Sequence, residues 1–390
     1  MDFRLTKEEA LFQKMCREFA LNEVEPLAAE IDEQERYPEE TVQKLMKYGL
    51  MGIQFPKEVG GSGGNYVCYS IAIEEMSRVC ATTGGIMSAH GTLGAWPIYA
   101  FGTEEQKEKW LRPLIEPHEG AKIGAFGLTE PNAGTDSAAQ QTIAAKQEDG
   151  SYILNGTKVF ITGGGRADTY VVFAMTDKSK GNKGISAFMV PTNTPGFSVT
   201  KYEDKCGFRT ISTCSLKFEN VCVPASNLVG GEAGLGKGFS FAMKTLDKSR
   251  ACVGALAVGI ARRALDEAIA FVKDRVTFGA PVAKRQGIQW MIADMATKIE
   301  ASRCLVSHAN DLQSKGLPFS TEAAMAKMFA TQSAMEVCTD AIQLMGGKGY
   351  MKEDCVEKCF RDIKAYCIFE GTNQVQKMVI SGAIMSGKRH

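Results

Sequence analysis

Asp149-Gly150-Ser151-Tyr152-Ile153-Leu154-Asn155-Gly156-Thr157-Lys158 is the stretch on which the fold turns. Two turn-forming dipeptides, Asp149-Gly150 and Asn155-Gly156, bracket the alternating apolar residues Tyr152 and Leu154, the pattern of a short strand between tight turns. Runs of the same kind follow: Tyr170 to Met175, Gly184 to Val190, Phe197 to Lys201 and Cys214 to Phe218. No helix-period segment separates them, so residues from about 123 to 230 are expected to fold as an antiparallel sheet or small barrel joined by hairpins. A parallel dinucleotide fold needs a helix in each crossover, and the pattern argues against it.

On either side the period changes from two to that of a helix. Thr6-Lys7-Glu8-Glu9 is a capping box ahead of Leu11, Phe12, Met15 and Phe19, so the chain is expected to begin folding there, with Met1 as its start. Pro38 sits where a first helical turn tolerates proline, Val42, Leu45 and Met46 form an apolar stripe, and Gly49 stops that helix. The run Gly60-Gly61-Ser62-Gly63-Gly64 is a loop inside this helical region. After residue 237 long periodic segments cover 238–273, 285–315, 320–346, 351–367 and 373–385, which suggests a bundle. The expected class is α+β in three domains: helical over 1–122, β over 123–232 and a helical bundle over 233–390.

The 390 residues are 44% hydrophobic, enough for a large core, and the 45 Lys plus Arg balance the 45 Asp plus Glu. Zero net charge gives no global pull toward nucleic acid or an anionic membrane. No stretch reaches the roughly 20 apolar residues of a membrane span, and no signal or transit pattern precedes the first helix. The 12 Cys show no zinc spacing, Cys355 and Cys359 being a pair on one helical face; they read as reduced thiols in a cytoplasmic protein.

Several motifs are candidates for chemistry. Gly231 to Gly238 reads GEAGLGKG, but Gly238 replaces the hydroxyl residue that a phosphate loop needs after its Lys, so it reads as a glycine-rich crossover. His90, His118, His308 and His390 have no metal spacing, and no GxSxG elbow occurs; no metal site is expected. Phe126 to Asp136 is dense in turn formers and hydroxyls, either a plain loop or one whose N–H groups with Thr129 and Thr135 bind a polar planar ligand or a phosphate. Phe160-Ile161-Thr162 followed by three glycines repeats that idea. Ile368-Phe369-Glu370-Gly371-Thr372-Asn373 places a carboxylate between apolar residues and a Gly turn, with Thr372 as N-cap. That suits a general base, and equally an exposed helix-end carboxylate.

These pieces, in this order and over nearly the whole chain, resemble the acyl-CoA dehydrogenase family, most closely its bacterial short-chain (butyryl-CoA) branch. The resemblance rests on Leu128 to Asp136, Asn155 to Lys158 with Phe160 to Thr162, Arg275 with Phe278-Gly279, Gln343 to Gly347, and Phe369 to Thr372. It implies an FAD enzyme that removes hydrogens from Cα and Cβ of an acyl-CoA thioester, with Glu370 as base for the α-proton and flavin N5 taking the β-hydride. The implied flavin contacts are Phe126, Leu128, Thr129, Gly134, Thr135, Phe160, Ile161 and Thr162. Arg275, Phe278, Gln286, Gln343, Leu344, Gly346 and Gly347 would reach the flavin of a neighbouring subunit, completed by Thr372 and Gln374. A homotetramer, a dimer of dimers, follows from that sharing. Implied substrate contacts are Thr135, Asp247, Arg250 and Gly371.

Branches that carry the base on the first bundle helix place it where this chain has Ser249, which leaves Glu370 as the candidate. The chain departs from the short-chain pattern at Leu256 and Tyr366, where the branch usually has Gln and Thr at positions that bound the acyl pocket, and at Phe369, where it has Tyr. The substrate expected is a short- to medium-chain acyl-CoA, or an aryl-substituted one. Electron-transferring flavoprotein is the implied electron partner. The same site run in reverse would be an enoyl-CoA or aryl-acrylyl-CoA reductase. An acyl-CoA oxidase, usually longer at its C-terminus, and a non-catalytic relative are the other readings.

Overall fold

A computed structural model describes residues 4–387; Met1, His390 and the outer limits of the first and last expected domains lie outside them. Helices α1 (Lys7–Phe19), α2 (Glu25–Gln34), α3 (Glu39–Lys47), α4 (Tyr66–Val79), α5 (Ala81–Ser88), α6 (Trp96–Phe101), α7 (Glu104–Gln106) and α8 (Arg112–Ile115) come first. The Thr6 capping box forms as expected, Thr6 Oγ1 accepting from the Glu9 N–H (3.2 Å) and Glu9 Oε2 from the Thr6 N–H (2.8 Å). Pro38 is the N-cap of α3 and Gly49, at φ +71°, follows its end. The α1 stripe is a correction: Cys16 carries the burial, whereas Leu11 and Met15 are exposed, because the helix lies on the surface with only one edge against α4.

Strands β1 (Gly124–Gly127), β2 (Ile143–Lys146), β3 (Tyr152–Thr162), β4 (Thr169–Met175), β5 (Ile185–Pro191), β6 (Phe197–Tyr202) and β7 (Thr213–Val223) form one sheet in the order β1-β4-β2-β3-β7-β6, with β5 paired to β4. Asp149-Gly150 is the expected turn between β2 and β3, with Gly150 at φ +85° and the Ser151 N–H donating to Asp149 Oδ1 at 2.9 Å. Asn155-Gly156 is not a turn. It is a bulge inside β3, where the register with β7 slips and the Asn155 side chain bonds the Asn220 N–H at 2.8 Å. The all-antiparallel expectation also needs correcting, since β1 pairs with β4 in parallel and β2 touches β4 in parallel at Ile143. Parallel pairing requires a long crossover, and the chain between β1 and β4, which itself contains β2 and β3, supplies one without a helix.

Helices α9 (Gly238–Asp274), α10 (Gln286–Ser314), α11 (Ser320–Met345), α12 (Cys355–Tyr366) and α13 (Asn373–Met385) complete the chain. Residues Lys248 to Ala261 of α9 are buried on every side, as a helix at the centre of a bundle must be. Its neighbours are α4, α10, α11 and α12, so helices that precede the sheet in the chain and helices that follow it share one core. The GEAGLGKG segment is a short 3-10 turn leading into α9, as its reading as a crossover expects.

Candidate active site

The sheet, the first helical region and the bundle meet at a cavity of about 190 Å³. Phe126, Leu128 and Thr129 reach it from the end of β1, Gly134 and Thr135 from the loop that follows, and Phe160, Ile161 and Thr162 from the end of β3. Leu93 comes from the π-helical segment Ala89–Ala95, and Met243, Leu246 and Arg250 from the first turns of α9. Phe369, Glu370 and Gly371, on the link between α12 and α13, close it.

The Phe126 to Asp136 loop is fixed by a buried ion pair. Lys158 Nζ, wholly out of solvent, donates to Glu130 Oε1 (2.7 Å), to the Leu128 carbonyl (3.2 Å) and to Gln140 Oε1 (3.2 Å). The Glu130 carboxylate also accepts from the backbone N–H groups of Gln141 (2.6 Å) and Thr142 (3.1 Å). Burial pushes the Lys158 ammonium down to about 8; for Glu130 burial works upward, but Lys158 and the backbone donors outweigh it and hold the carboxyl below its usual range. Thr129 is fastened to β3 by the Val159 N–H, which donates to its carbonyl at 2.9 Å.

Two non-glycine residues in the left-handed region line the cavity, Phe160 at φ +57° and Glu370 at φ +54°. Such backbone persists only where surrounding contacts fix it, and it clusters at functional sites. Glu370 Oε2 is buried and has no hydrogen-bond partner. Burial pushes the Glu370 carboxyl above its ordinary range, against the nearby Ser249 hydroxyl and the charges of Lys327 and Arg250. Arg250 is buried beside it, paired with Asp247 one turn earlier, and its Nε has no partner. Asp247 Oδ2 in turn accepts from Ser320 Oγ at 2.7 Å.

Not every residue implied by the sequence comes to this cavity. Arg275, Phe278 and Gln286 lie beyond the end of α9, with Phe278 97% exposed, and Gln343, Leu344, Gly346 and Gly347 lie at the far end of α11. Thr372 caps α13, its Oγ1 accepting from the Val375 N–H at 3.3 Å, and Gln374 is exposed on that helix. Leu256 and Tyr366 are buried but not on the cavity wall. Leu256 lies about 9 Å further along α9 than Arg250, packed on Gly84. Tyr366 stands behind Phe369, its ring edge-on at 4.9 Å and its hydroxyl donating to the Ala81 carbonyl at 3.1 Å. His90 is buried and structural, its Nδ1 accepting from the Gly124 N–H at 3.2 Å. Among the described residues no cluster of His, Cys, Asp and Glu could hold a metal, and no helix is long and apolar enough to cross a membrane.

Sequence reasoning missed Lys327, Thr331 and Gln376, which bond the turn at Glu370, and it used Ser249 only to exclude another base position. Lys327, Thr331 and Ser249 sit on helices far from residue 370 in sequence, and Gln376, six positions on, is a polar residue on α13; none carries a local signal. The donor set suits a planar heteroaromatic group such as a flavin: apolar Leu93, Phe126 and Leu128 beside the hydroxyls of Thr129, Thr135 and Thr162, with Gly134 leaving open space.

Known proteins place this architecture. The chain matches the family models of the acyl-CoA dehydrogenase N-terminal domain over residues 6–117, middle domain over 125–221 and C-terminal domain over 236–385. It is 55% identical over 384 residues to the short-chain specific acyl-CoA dehydrogenase of Clostridium acetobutylicum, covering 98% of this chain and 100% of that one. Its fold superposes on butyryl-CoA dehydrogenase from Megasphaera elsdenii with a TM-score of 0.95 at 48% identity, covering 99% of this chain and 100% of the other. A chain from the structure of the electron transferring flavoprotein of Acidaminococcus fermentans also gives 0.95, at 49% identity over 98% of this chain and 99% of that one. With all three family models matched in order and relatives aligned end to end, the chain belongs to the acyl-CoA dehydrogenase family.

Proposed function

We propose that this chain is an FAD-dependent dehydrogenase that converts a short- to medium-chain acyl-CoA to the trans-2-enoyl-CoA. The observation that carries this reading is Glu370, whose buried, unpartnered Oε2 stands on a left-handed turn at the cavity that Thr129, Thr135, Phe160, Ile161 and Thr162 also line. The short-chain end of the range is supported by the relatives named above.

The β1 and β3 residues would hold FAD, which when bound would supply the two-electron acceptor. Glu370 takes the α-proton on Oε2. Burial raises its proton affinity, which strengthens it as a base, while Ser249, Lys327 and Arg250 favour its ionised form. Met243, Leu246 and Phe369 keep the neighbouring wall apolar and shed water from the carboxyl. We assign the Glu370 N–H to the thioester carbonyl, where one such donor is worth about 3–4 kcal/mol of barrier. Arg250, with Asp247 orienting it and Nε unpartnered, offers a charged donor to a polar group of the substrate, and Thr135 and Gly371 flank it.

In this reading the chain divides at 1–122, 123–232 and 233–390 and works as a homotetramer. Arg275, Phe278, Gln286 and the 343–347 segment, all away from their own cavity, serve the FAD of a neighbouring subunit, with Thr372 and Gln374. Electron-transferring flavoprotein is the electron partner, an assignment supported by the similarity to the Acidaminococcus fermentans chain.

The test is anaerobic mixing of the purified yellow protein with saturated acyl-CoAs of increasing length. At least one of the shorter ones bleaches the flavin band, and Glu370→Gln bleaches with none. Full bleaching of the Gln variant overturns the base assignment. Preference for a long chain overturns the substrate class.

A further inference from the structure

The turn that carries Glu370 is held from outside itself. Glu370 and Gly371 both have left-handed backbone, φ +54° and +90°, and the groups that fix them come from α11 and α13. Lys327 of α11, with no exposed surface, donates from Nζ to the Gly371 carbonyl (2.9 Å) and to Asn373 Oδ1 (3.0 Å). Gln376 Nε2 donates to the same carbonyl at 2.8 Å, and Thr331 Oγ1 steadies Asn373 Oδ1 at 3.1 Å. Space is tight here, since a Cβ on Gly371 would come within 2.6 Å of Gln376 Nε2.

A buried ammonium needs both hydrogen bonds and a counter-charge. Lys327 has the first, but no carboxylate among the described residues lies within ion-pair distance of it; the titratable and charged groups acting on it are Cys367, Glu370 and Arg250. The one of these that is anionic when ionised as a carboxylate is Glu370. We propose that Lys327 is the positioning residue of the base: with Gln376 it locks the Gly371 carbonyl so that the Glu370 side chain stays in the cavity, and its charge is the counterweight to the Glu370 carboxylate. The word base rests on the dehydrogenase reading above; the geometric and electrostatic coupling does not.

The consequence is a divided environment for Glu370. Burial raises its pKa, and the opposing influences are the Ser249 hydroxyl, Lys327 and Arg250. Tyr69, Cys252 and Tyr366 also act with Glu370, but burial pushes all three upward, so they stay neutral and offer no counter-charge. Removing Lys327 therefore leaves Arg250, already paired with Asp247, as the one cation acting on Glu370 among the described residues. Loss of a cation that favours the ionised carboxyl raises that carboxyl's pKa further.

The experiment compares the holoenzyme with its Lys327→Met, Lys327→Arg and Gln376→Leu variants. Two quantities are followed against pH: the rate of flavin bleaching by butyryl-CoA, and the infrared band of the protonated Glu370 carboxyl, identified by its loss in Glu370→Gln. Lys327→Met is expected to move the infrared midpoint and the acidic limb of the rate upward together, lowering the rate below the new midpoint by up to about tenfold for each pH unit the midpoint moves. Lys327→Arg restores the midpoint, and Gln376→Leu slows bleaching without moving it. A folded Met variant whose midpoint and acidic limb superimpose on the parent overturns the proposal. Should the Met variant fail to fold, an undiminished rate in Gln376→Leu overturns it. If the parent protein itself fails to bleach, the dehydrogenase reading falls, while the infrared midpoints still decide the coupling of Lys327 to Glu370.

Discussion

Lys158→Met removes the cation beneath the Leu128 to Thr142 segment and leaves the Glu130 carboxylate buried. The side chains of the pair are 0% and 4% exposed, so water cannot replace the missing partner. Breaking a buried pair on one side costs about 3–5 kcal/mol; the Gln141 and Thr142 N–H donors that remain on Glu130 place this case near about 3 kcal/mol. With about 2.1 cal/mol/K of unfolding entropy per residue, a 390-residue chain unfolding as one unit has about 0.8 kcal/mol/K, so the melting temperature falls by about 4 °C. Calorimetry on the parent, Lys158→Met, Glu130→Gln and the double variant gives the coupling directly. The double variant should lose less than the sum of the singles by about 1–3 kcal/mol, because neither charge is then stranded. Simple additivity, or a Met variant melting within about 1 °C of the parent, would refute the view that this pair holds the cavity loop in place.

Other outcomes follow from particular residues. The folded-state pKa of Glu370 lies above its unfolded value, so its contribution to stability is full below the unfolded value and is lost as pH rises through the folded one. Glu370→Gln should therefore melt higher than the parent at pH 7.5 and lose that advantage at pH 4, and the reverse order in a pH series of melts would refute it. Gly94→Ala would put a Cβ 2.4 Å from the Gly124 carbonyl, forcing the Ala89–Ala95 segment off β1; a loss of about 1–3 kcal/mol is expected in denaturant melts, with weaker flavin retention because Leu93 moves. Phe160→Gly relieves a left-handed backbone worth roughly 1 kcal/mol while giving up a ring that is 64% exposed. The flavin-free protein should then melt no lower than the parent while FAD retention falls, and a drop beyond about 2 °C would count against strain at that residue.

Much of the site was legible in the chain. The β-rich runs located β4 to β7 to within a few residues, because β4 and β5, buried on both faces, leave continuous apolar runs and β6 an alternating one, records that need no knowledge of the partner strand. The Thr6 box, the Asp149-Gly150 turn and the Thr372 cap are local hydrogen-bonding units, complete within four residues, and they formed as read. Asn155-Gly156 went the other way. The dipeptide favours a tight turn, yet pairing with β7 on one side and the approach of Thr142 on the other turned it into a bulge. The exposed Leu11 and Met15 show the same limit: a stripe records which face is apolar, not how much of it finds a partner.

The sequence by itself determined the α, β, α order, the turn chemistry at Glu370 and the small set of hydroxyls and glycines that line the cavity, since each is encoded by residues adjacent in the chain. Only the tertiary structure decided how strongly that carboxyl holds its proton and what keeps it aimed. Those depend on Ser249, Arg250 and Lys327, which lie 121, 120 and 43 positions earlier in the chain, on α9 and α11. Electrostatic coupling falls with distance in space and with exposure to water, and neither is written in a pattern of neighbours along the sequence.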